Sequence, residues 1–230
     1  MESNQIKIGL TNNNPCSYLE DQQERVAVII EPEHHTSEHY EIFLANGFRR
    51  SGDIIYKPHC DHCQACQPIR ISIPDIQFSK SQKRLLNKSL SLQWELKNAL
   101  DDNWFELYER YISVRHSSGS MFPANQDTFY QFVNASWLKP YFLHLYDNHE
   151  LVAIAVTDNL EHCLSAFYTF FEPNHTLSLG TLCVLLQMKA CQSMGKQWLY
   201  LGYQIDDCPA MNYKVRFQRH QKLVNKRWQG

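Results

Sequence analysis

The sequence predicts an α+β protein in which a cysteine-bearing N-terminal region, residues 1–75, packs on a second domain spanning 76–230. Three observations carry that prediction. The first 75 residues are irregular, hold Cys16, Cys60, Cys63 and Cys66, and show only short β-like runs. From Asp101 onward the apolar pattern reads helix, helix, three period-two strands, a long helix and a buried strand. The 230 residues are 43% hydrophobic and 20% charged, without internal repeat or long Gly/Ser/Pro linker, which suits one sizeable core or two small ones and excludes global disorder.

In chain order, Val26–Ile30 is a short strand, followed within an acidic stretch (Glu20 to Glu41) by a helix through Tyr40, Ile42, Phe43 and Leu44 that Gly47 closes as a C-cap. Ser79–Leu90 places Lys80, Lys83, Arg84 and Lys88 on a helix without one carboxylate, a cationic ridge. Trp104, Leu107, Tyr108, Tyr111 and Ile112 recur at three- and four-residue steps behind acidic N-cap candidates at Asp101, so a helix with an aromatic core face starts there. A further helix is expected over Phe129–Trp137. Tyr141–Tyr146, Glu150–Thr157 and Cys163–Phe171 alternate as strands, with Asp147-Asn148 and Asp158-Asn159 as turns. Leu177–Met194 is a strong helix closed by Gly195, and Gln197–Tyr203 a buried strand. This order matches the acyltransferase core named after the Gcn5-related N-acetyltransferases, an analogy of fold alone.

The net charge of −2 argues against a strongly electrostatic partner. Its distribution argues otherwise: Cys208–Gly230 carries six basic residues (Lys214, Arg216, Arg219, Lys222, Lys226, Arg227) and no acidic one, against 16 basic and 24 acidic residues elsewhere. Such a tail is a solvated face or a seat for a polyanion. Met1–Pro15 is polar and the longest apolar run, Leu151–Val156, falls far short of a membrane span, so a cytoplasmic protein without a membrane partner is expected. Eight cysteines in that setting are reduced thiols, buried hydrophobes or metal ligands rather than disulfides.

Cys60-Asp61-His62-Cys63-Gln64-Ala65-Cys66 overlaps two CxxC steps, and Cys16, His59 or His62 could complete four ligands; metal and metal-free readings both stand. His175–Thr181 opens the long helix with hydroxyls, offering either an anion site or plain N-capping by Thr176 or Ser178. Its single glycine, Gly180, would cradle the pyrophosphate of CoA poorly, so CoA is not expected as a ligand. Tyr200–Cys208 ends the buried strand in Gly, Tyr and paired carboxylates, and Met211–Phe217 turns basic with interleaved aromatics; the alternatives are a stacked nucleotide with its phosphate, or a helix packing Tyr213 and Phe217.

Cys16-Ser17-Tyr18-Leu19, the block Gly47–Gly52, Tyr56–Cys60 through Cys66–Arg70, Ser79–Arg84, Tyr168-Thr169-Phe170, Ser178-Leu179-Gly180 and Tyr200–Tyr203 occur in one order. Together, from Cys16 to Trp228, they resemble the bacterial branch of the arginyltransferase family, the aspartate/glutamate leucyltransferases. The resemblance implies transfer of leucine from leucyl-tRNA to the N-terminal amine of proteins that begin with Asp or Glu, yielding an N-degron for protein degradation. Leu19 stands where eukaryotic members carry a second cysteine, which fits the bacterial branch.

On that reading no cofactor is required for the chemistry, and zinc or an iron–sulfur cluster is admitted only at Cys16, Cys60, Cys63 and Cys66. An aminoacyl ester is already activated, so attack by the amine needs positioning more than a strong base. Tyr168, Tyr203, Gln204 and Asp206 are the candidates for proton relay and oxyanion support. An acidic N-terminal residue needs a fixed cation, for which Arg70, between Ile69 and Ile71, ranks above Arg49 and Arg50. The tRNA is expected to be gripped by Lys80, Lys83, Arg84, Lys88, Ser178, Gly180, Lys214, Arg216 and Arg219. The competing classes are an acyl-CoA-dependent N-acyltransferase and a non-catalytic, metal-binding RNA adaptor.

Overall fold

The computed structural model describes residues 6–230; the first five residues of the polar stretch Met1–Pro15 lie outside them. The elements are β1 (Ile8–Leu10), β2 (Asn14–Pro15), β3 (Gln23–Glu24), β4 (Val26–Ile29), α1 (Ser37–Ala45), β5 (Arg49–Ser51), β6 (Ile54–Pro58), β7 (Gln67–Ser72), α2 (Lys80–Lys88), β8 (Gln93–Lys97), α3 (Trp104–Arg115), α4 (Gln126–Val133), β9 (Tyr141–Asp147), β10 (Glu150–Asn159), β11 (Cys163–Phe171), α5 (Leu179–Ser193), β12 (Trp198–Gln204), β13 (His220–Val224) and β14 (Arg227–Gln229). Short 3-10 turns occupy Pro32–His34 and Asn212–Arg216.

Local chemistry sets the boundaries. Thr36 caps α1 by accepting from the His39 amide, and Gly47, at φ +86°, ends it in the left-handed region; a Cβ there would meet Pro68 Cγ at 2.8 Å. Ser79 and Gln82 form a reciprocal capping box on α2. The helix expected at Phe129–Trp137 begins three residues earlier and stops at Val133, because Asn125 accepts from the Thr128 amide at 2.9 Å and Asn134 is extended. The acidic caps expected for α3 are absent: Asn103 makes no side-chain cap, and the Asp101 carboxylate engages Lys97 and Tyr146 instead.

The large sheet has the order β14-β13-β7-β12-β11-β10-β9-β8, beside a four-stranded sheet β1-β4-β6-β5 and the pair β2-β3. Within the large sheet only β11 and β12 run parallel, joined by the α5 crossover that a parallel pair requires. β7 lies between β13 and β12, so residues before 75 contribute a strand to the large sheet.

α5 is buried along most of its length: Val184, Leu185 and Met188 pack on Ile69, Ile71, Leu199 and Leu201, while Leu182, Cys183 and Leu186 pack on Leu143, Leu145, Ala153 and Ala155. A second cluster packs Trp104, Tyr108 and Ile112 of α3 and Phe129 of α4 on Ile154, Val156 and Phe170. The alternation of β10 between these two clusters puts helices on both faces of the sheet. The third cluster joins α1 and the small sheet to Cys163 and Tyr200.

The basic tail is not a helix. After the 3-10 turn it forms a hairpin, β13–β14, whose Asn225 and Lys226 both take positive φ, the geometry of a type I′ turn. Among the described residues, no helix is long and apolar enough to cross a membrane.

Candidate active site

β11 and β12 pair only through Cys163–Trp198, Leu164–Leu199 and Ser165–Tyr200. Beyond that point each strand continues without the other, to Phe171 and Gln204, leaving a wedge that opens toward their carboxyl ends and the start of α5. Both strands are irregular at the wedge. Opposite β10 the register jumps from Val156–Tyr168 to Thr157–Ala166, so Phe167 is the extra residue of a bulge and its backbone leaves the ladder. Opposite β7 it jumps between Tyr200–Arg70 and Tyr203–Pro68, with Gly202 at φ +83°.

Arg49, on β5, bridges this wedge. Its Nη2 donates to the carbonyl of Ala166 on β11 at 3.0 Å, and its guanidinium covers Gly202 on β12, 3.7 Å from where a Cβ would stand. The side chain is buried, yet Nη1 has no hydrogen-bond partner among the described residues. Gly202 answers to its own positive φ and not to Arg49, because a Cβ there would meet the guanidinium only at van der Waals distance.

The other two arginines have protein partners. Arg50 is fully buried and holds Asp158 Oδ1 through Nε at 3.1 Å and Nη2 at 2.6 Å, with the Phe167 ring 4.2 Å away. Its charge is thereby neutralised. Arg70 is layered between the rings of Trp198 (3.5 Å) and Trp228 (4.2 Å), and donates to Gln221 and to the Tyr200 hydroxyl. It staples β7, β12 and the terminal hairpin together and is half-buried.

Lys214 also departs from expectation. Rather than reaching for a polyanion, it is buried, donates to the carbonyl of Tyr203, and touches Met211 Sδ at 3.4 Å. Desolvation, then the nearby Arg49 charge, pulls its pKa down to about 7.

Of the relay candidates, Tyr203 donates its hydroxyl to the carbonyl of Gly47 at 2.9 Å, and burial pushes its pKa well up, so it pins the α1 terminus. Gln204 donates to Asp206 Oδ1 at 2.8 Å and to the Asn212 carbonyl at 3.3 Å; its Oε1 is buried without a partner. Asp206 is exposed beyond the strand end. Tyr168 lies on β11 past the bulge, against Phe132 and Phe170, with a pKa raised by burial and no hydrogen bond from its hydroxyl among the described residues.

At the head of α5 a cavity of about 390 Å³ joins three sequence-distant segments: Arg84 and Lys88 of α2, Thr176, Ser178 and Thr181 beside the start of α5, and Tyr213 and Arg216 of the 3-10 turn. Ser81, Arg84, Leu85 and Lys88 face it at helical spacing, and no carboxylate lines it. Neither expected cap forms at α5: the Ser178 hydroxyl donates to Thr181 at 3.2 Å, so the first-turn amides have no side-chain cap. Lys80, Lys83 and Arg219 are exposed but lie outside the cavity. Gly180 packs on Phe171, whose ring would stand 3.0 Å from an added Cβ, so it fits α5 to β11 and does not line the cavity.

Cys16, Cys60, Cys63 and Cys66 line a second cavity of about 500 Å³ together with Tyr56, Tyr203 and Lys226. Burial and the neighbouring thiols push Cys66 up to about 12. Among the described residues no three His, Cys, Asp or Glu side chains are arranged around one point.

Profiles of the N and C termini of arginine-tRNA-protein transferases match residues 14–84 and 103–224. Relatives named aspartate/glutamate leucyltransferase are 65% identical over 226 residues in Vibrio vulnificus and 62% over 227 residues in Vibrio cholerae, spanning 98% of this chain and 97% of each relative. Another, from Pseudoalteromonas atlantica, is 45% identical over 97% of both chains. Among solved structures, the C-terminal domain of a putative lysylphosphatidylglycerol synthetase from Agrobacterium fabrum has a TM-score of 0.49 at 10% identity, over 62% of this chain and 48% of that one. Matches of this length and identity show that the chain belongs to the arginine-tRNA-protein transferase family, in its aspartate/glutamate leucyltransferase branch.

Proposed function

We infer that the chain transfers leucine from leucyl-tRNA to the α-amine of proteins that begin with Asp or Glu, and that the new N-terminal leucine marks them for degradation. The observation that carries this reading is the carboxylate-free cavity at the head of α5, where Arg84, Lys88 and Arg216 converge. A phosphodiester strand end suits three cations, uncapped helix amides and an aromatic at Tyr213. Family membership names that strand as the end of an aminoacyl-tRNA. The wedge between β11 and β12, with α5 between them, supports a Gcn5-related N-acetyltransferase-like arrangement in which donor and acceptor meet.

Chemically, the acceptor α-amine has an ordinary pKa of roughly 7.7–8.0, so a useful fraction is neutral near pH 7 and attacks the ester carbonyl once positioned. The carbonyl oxygen gains charge in the tetrahedral intermediate; the backbone released at Phe167 is the candidate donor to it. The C–O ester bond then breaks, and the ribose oxygen takes a proton while the ammonium formed by attack loses one. Tyr168, which burial keeps protonated, is the candidate for supplying a hydrogen bond to that departing oxygen. The cysteine cavity enters no step.

Purified protein is incubated with labelled leucyl-tRNA and peptides beginning with Asp, Glu, Asn or Arg. Label on the Asp and Glu peptides is expected. Label on none of them, alongside turnover of acetyl-CoA, would overturn the assignment.

A further inference from the structure

Two buried cations lie side by side at the end of β12. The Arg49 guanidinium rests on Gly202, and the Lys214 ammonium is held on the carbonyl of the next residue, Tyr203. The two are 8% and 6% exposed. Among the described residues neither forms an ion pair, whereas the adjacent Arg50, equally enclosed, has Asp158. Burying one unpaired charge is strongly unfavourable, and burying two of the same sign compounds it. Such a pair persists where an anion completes it for part of the working cycle. Arg49 Nη1 is buried and has no hydrogen-bond partner among the described residues, so a donor there awaits an acceptor.

We propose that Arg49 and Lys214 together form the clamp that receives the side-chain carboxylate of an N-terminal Asp or Glu. The proposal rests on the acceptor reading given above and names the residues that set its specificity. Arg49 is fixed by Ala166 and Gly202 and offers a rigid donor edge; Lys214 brings a flexible stem, which accommodates one methylene more or less. The position is also right: Tyr213 and Arg216, on the same turn as Lys214, line the donor cavity. A carboxylate held at Lys214 would lie on the same short turn as two residues of the donor cavity.

One consequence is a proton linkage. The groups that face Lys214 are Arg49 from β5, Cys66 before β7, Cys208 after β12, and Tyr203, whose carbonyl it holds; no carboxylate is among them. Without an anion, the ammonium loses its proton near pH 7; with a carboxylate against it, it keeps it. Acidic N-termini are therefore bound best below about pH 7 and progressively less well above it.

The test is the ratio of kcat/KM for an Asp-starting peptide to that for the matching Asn-starting peptide, from pH 6.5 to 8.5 with saturating leucyl-tRNA. The α-amine titrates in both peptides and cancels in the ratio. For the unaltered protein the ratio is expected to fall up to roughly 25-fold across that range, the change set by one proton with a pKa near 7. Lys214→Met gives a low, pH-independent ratio. Lys214→Arg, which keeps the charge, gives a pH-independent ratio that still favours Asp, and decides the matter if the Met variant does not fold. Arg49→Met lowers the ratio at every pH while leucyl-tRNA binding in a filter assay is retained. A strong Asp preference that does not change with pH, or a pH dependence that survives Lys214→Met, overturns the clamp. Absence of transfer to every peptide by the unaltered protein instead overturns the acceptor reading beneath it.

Discussion

Replacing Arg84, Lys88 and Arg216 together by Gln tests whether the cavity at the head of α5 holds the tRNA end. All three line one cavity that contains no carboxylate. Each phosphate neutralised by a cation releases counterions, and for a single-stranded end the slope of log affinity against log salt changes by about 0.7 per contact. Three contacts therefore carry about 2 units of slope. Between 50 and 200 mM salt the unaltered protein should lose roughly 18-fold more affinity for leucyl-tRNA than the triple variant does, by that slope. Filter binding with leucyl-tRNA across that range reads the effect directly. A matched variant with Lys80 and Lys83 replaced by Gln controls for general charge, because both are exposed on α2 but outside the cavity. An unchanged slope in the triple variant, or an equal change in the matched one, would refute the assignment of this cavity to the tRNA end.

Three further perturbations address the scaffold around the wedge. Asp158→Asn leaves Arg50 buried without its counter-ion and should destabilise the fold by about 3–5 kcal/mol in urea unfolding, whereas removing both partners together should cost less. Gly202→Ala forces a side chain into the left-handed region at φ +83°; a loss of about 1–2 kcal/mol is expected in urea unfolding, with Asp preference unchanged because the added Cβ meets Arg49 only at van der Waals distance. Lys214 also makes stability depend on pH. Its folded pKa of about 7 lies below the unfolded value near 10.4, so between these limits the unfolded chain binds more protons and stability rises with pH. Relative to Lys214→Met, the unaltered protein should gain about 2 kcal/mol between pH 7 and 9 in denaturant melts; a constant difference would show that Lys214 is not desolvated.

What the sequence revealed depended on how far each residue's partner lies along the chain. The apolar rows of α3, α5 and β12 were legible because period and burial are local properties. The hairpin at the C terminus was not, since its turn residues Asn225 and Lys226 are inconspicuous next to a run of basic residues. The aromatic partners of Arg70 are not legible in the sequence for a definite reason. Ile69 and Ile71 face α5, and strand alternation turns Arg70 to the opposite face, where Trp198 and Trp228 cover it. Nothing local announces partners more than a hundred residues away. Asp158, likewise, reads as a turn residue until it is found against Arg50. Lys214 was grouped with a solvated tail because charge counts do not record direction, and only its fully buried neighbour Phe217 hinted that the turn docks on the core.

The turn at Asn212–Arg216 is the element on which donor and acceptor geometry converge. Gln82 of α2 donates to the carbonyl of Arg216, and Gln204 at the end of β12 donates to the carbonyl of Asn212, so the turn is tied at both ends to the two elements that flank it. Within it, Tyr213 and Arg216 face the carboxylate-free cavity while Lys214 turns inward to β12 and Arg49. On the proposed reading, these five residues stand between a site for phosphates and a site for a carboxylate. A reaction between two substrates gains most from fixing their separation, because that removes the entropy of bringing them together. On that reading the separation is held by the two hydrogen bonds that tie the turn to α2 and to the end of β12, with Arg216 directed to one side of it and Lys214 to the other.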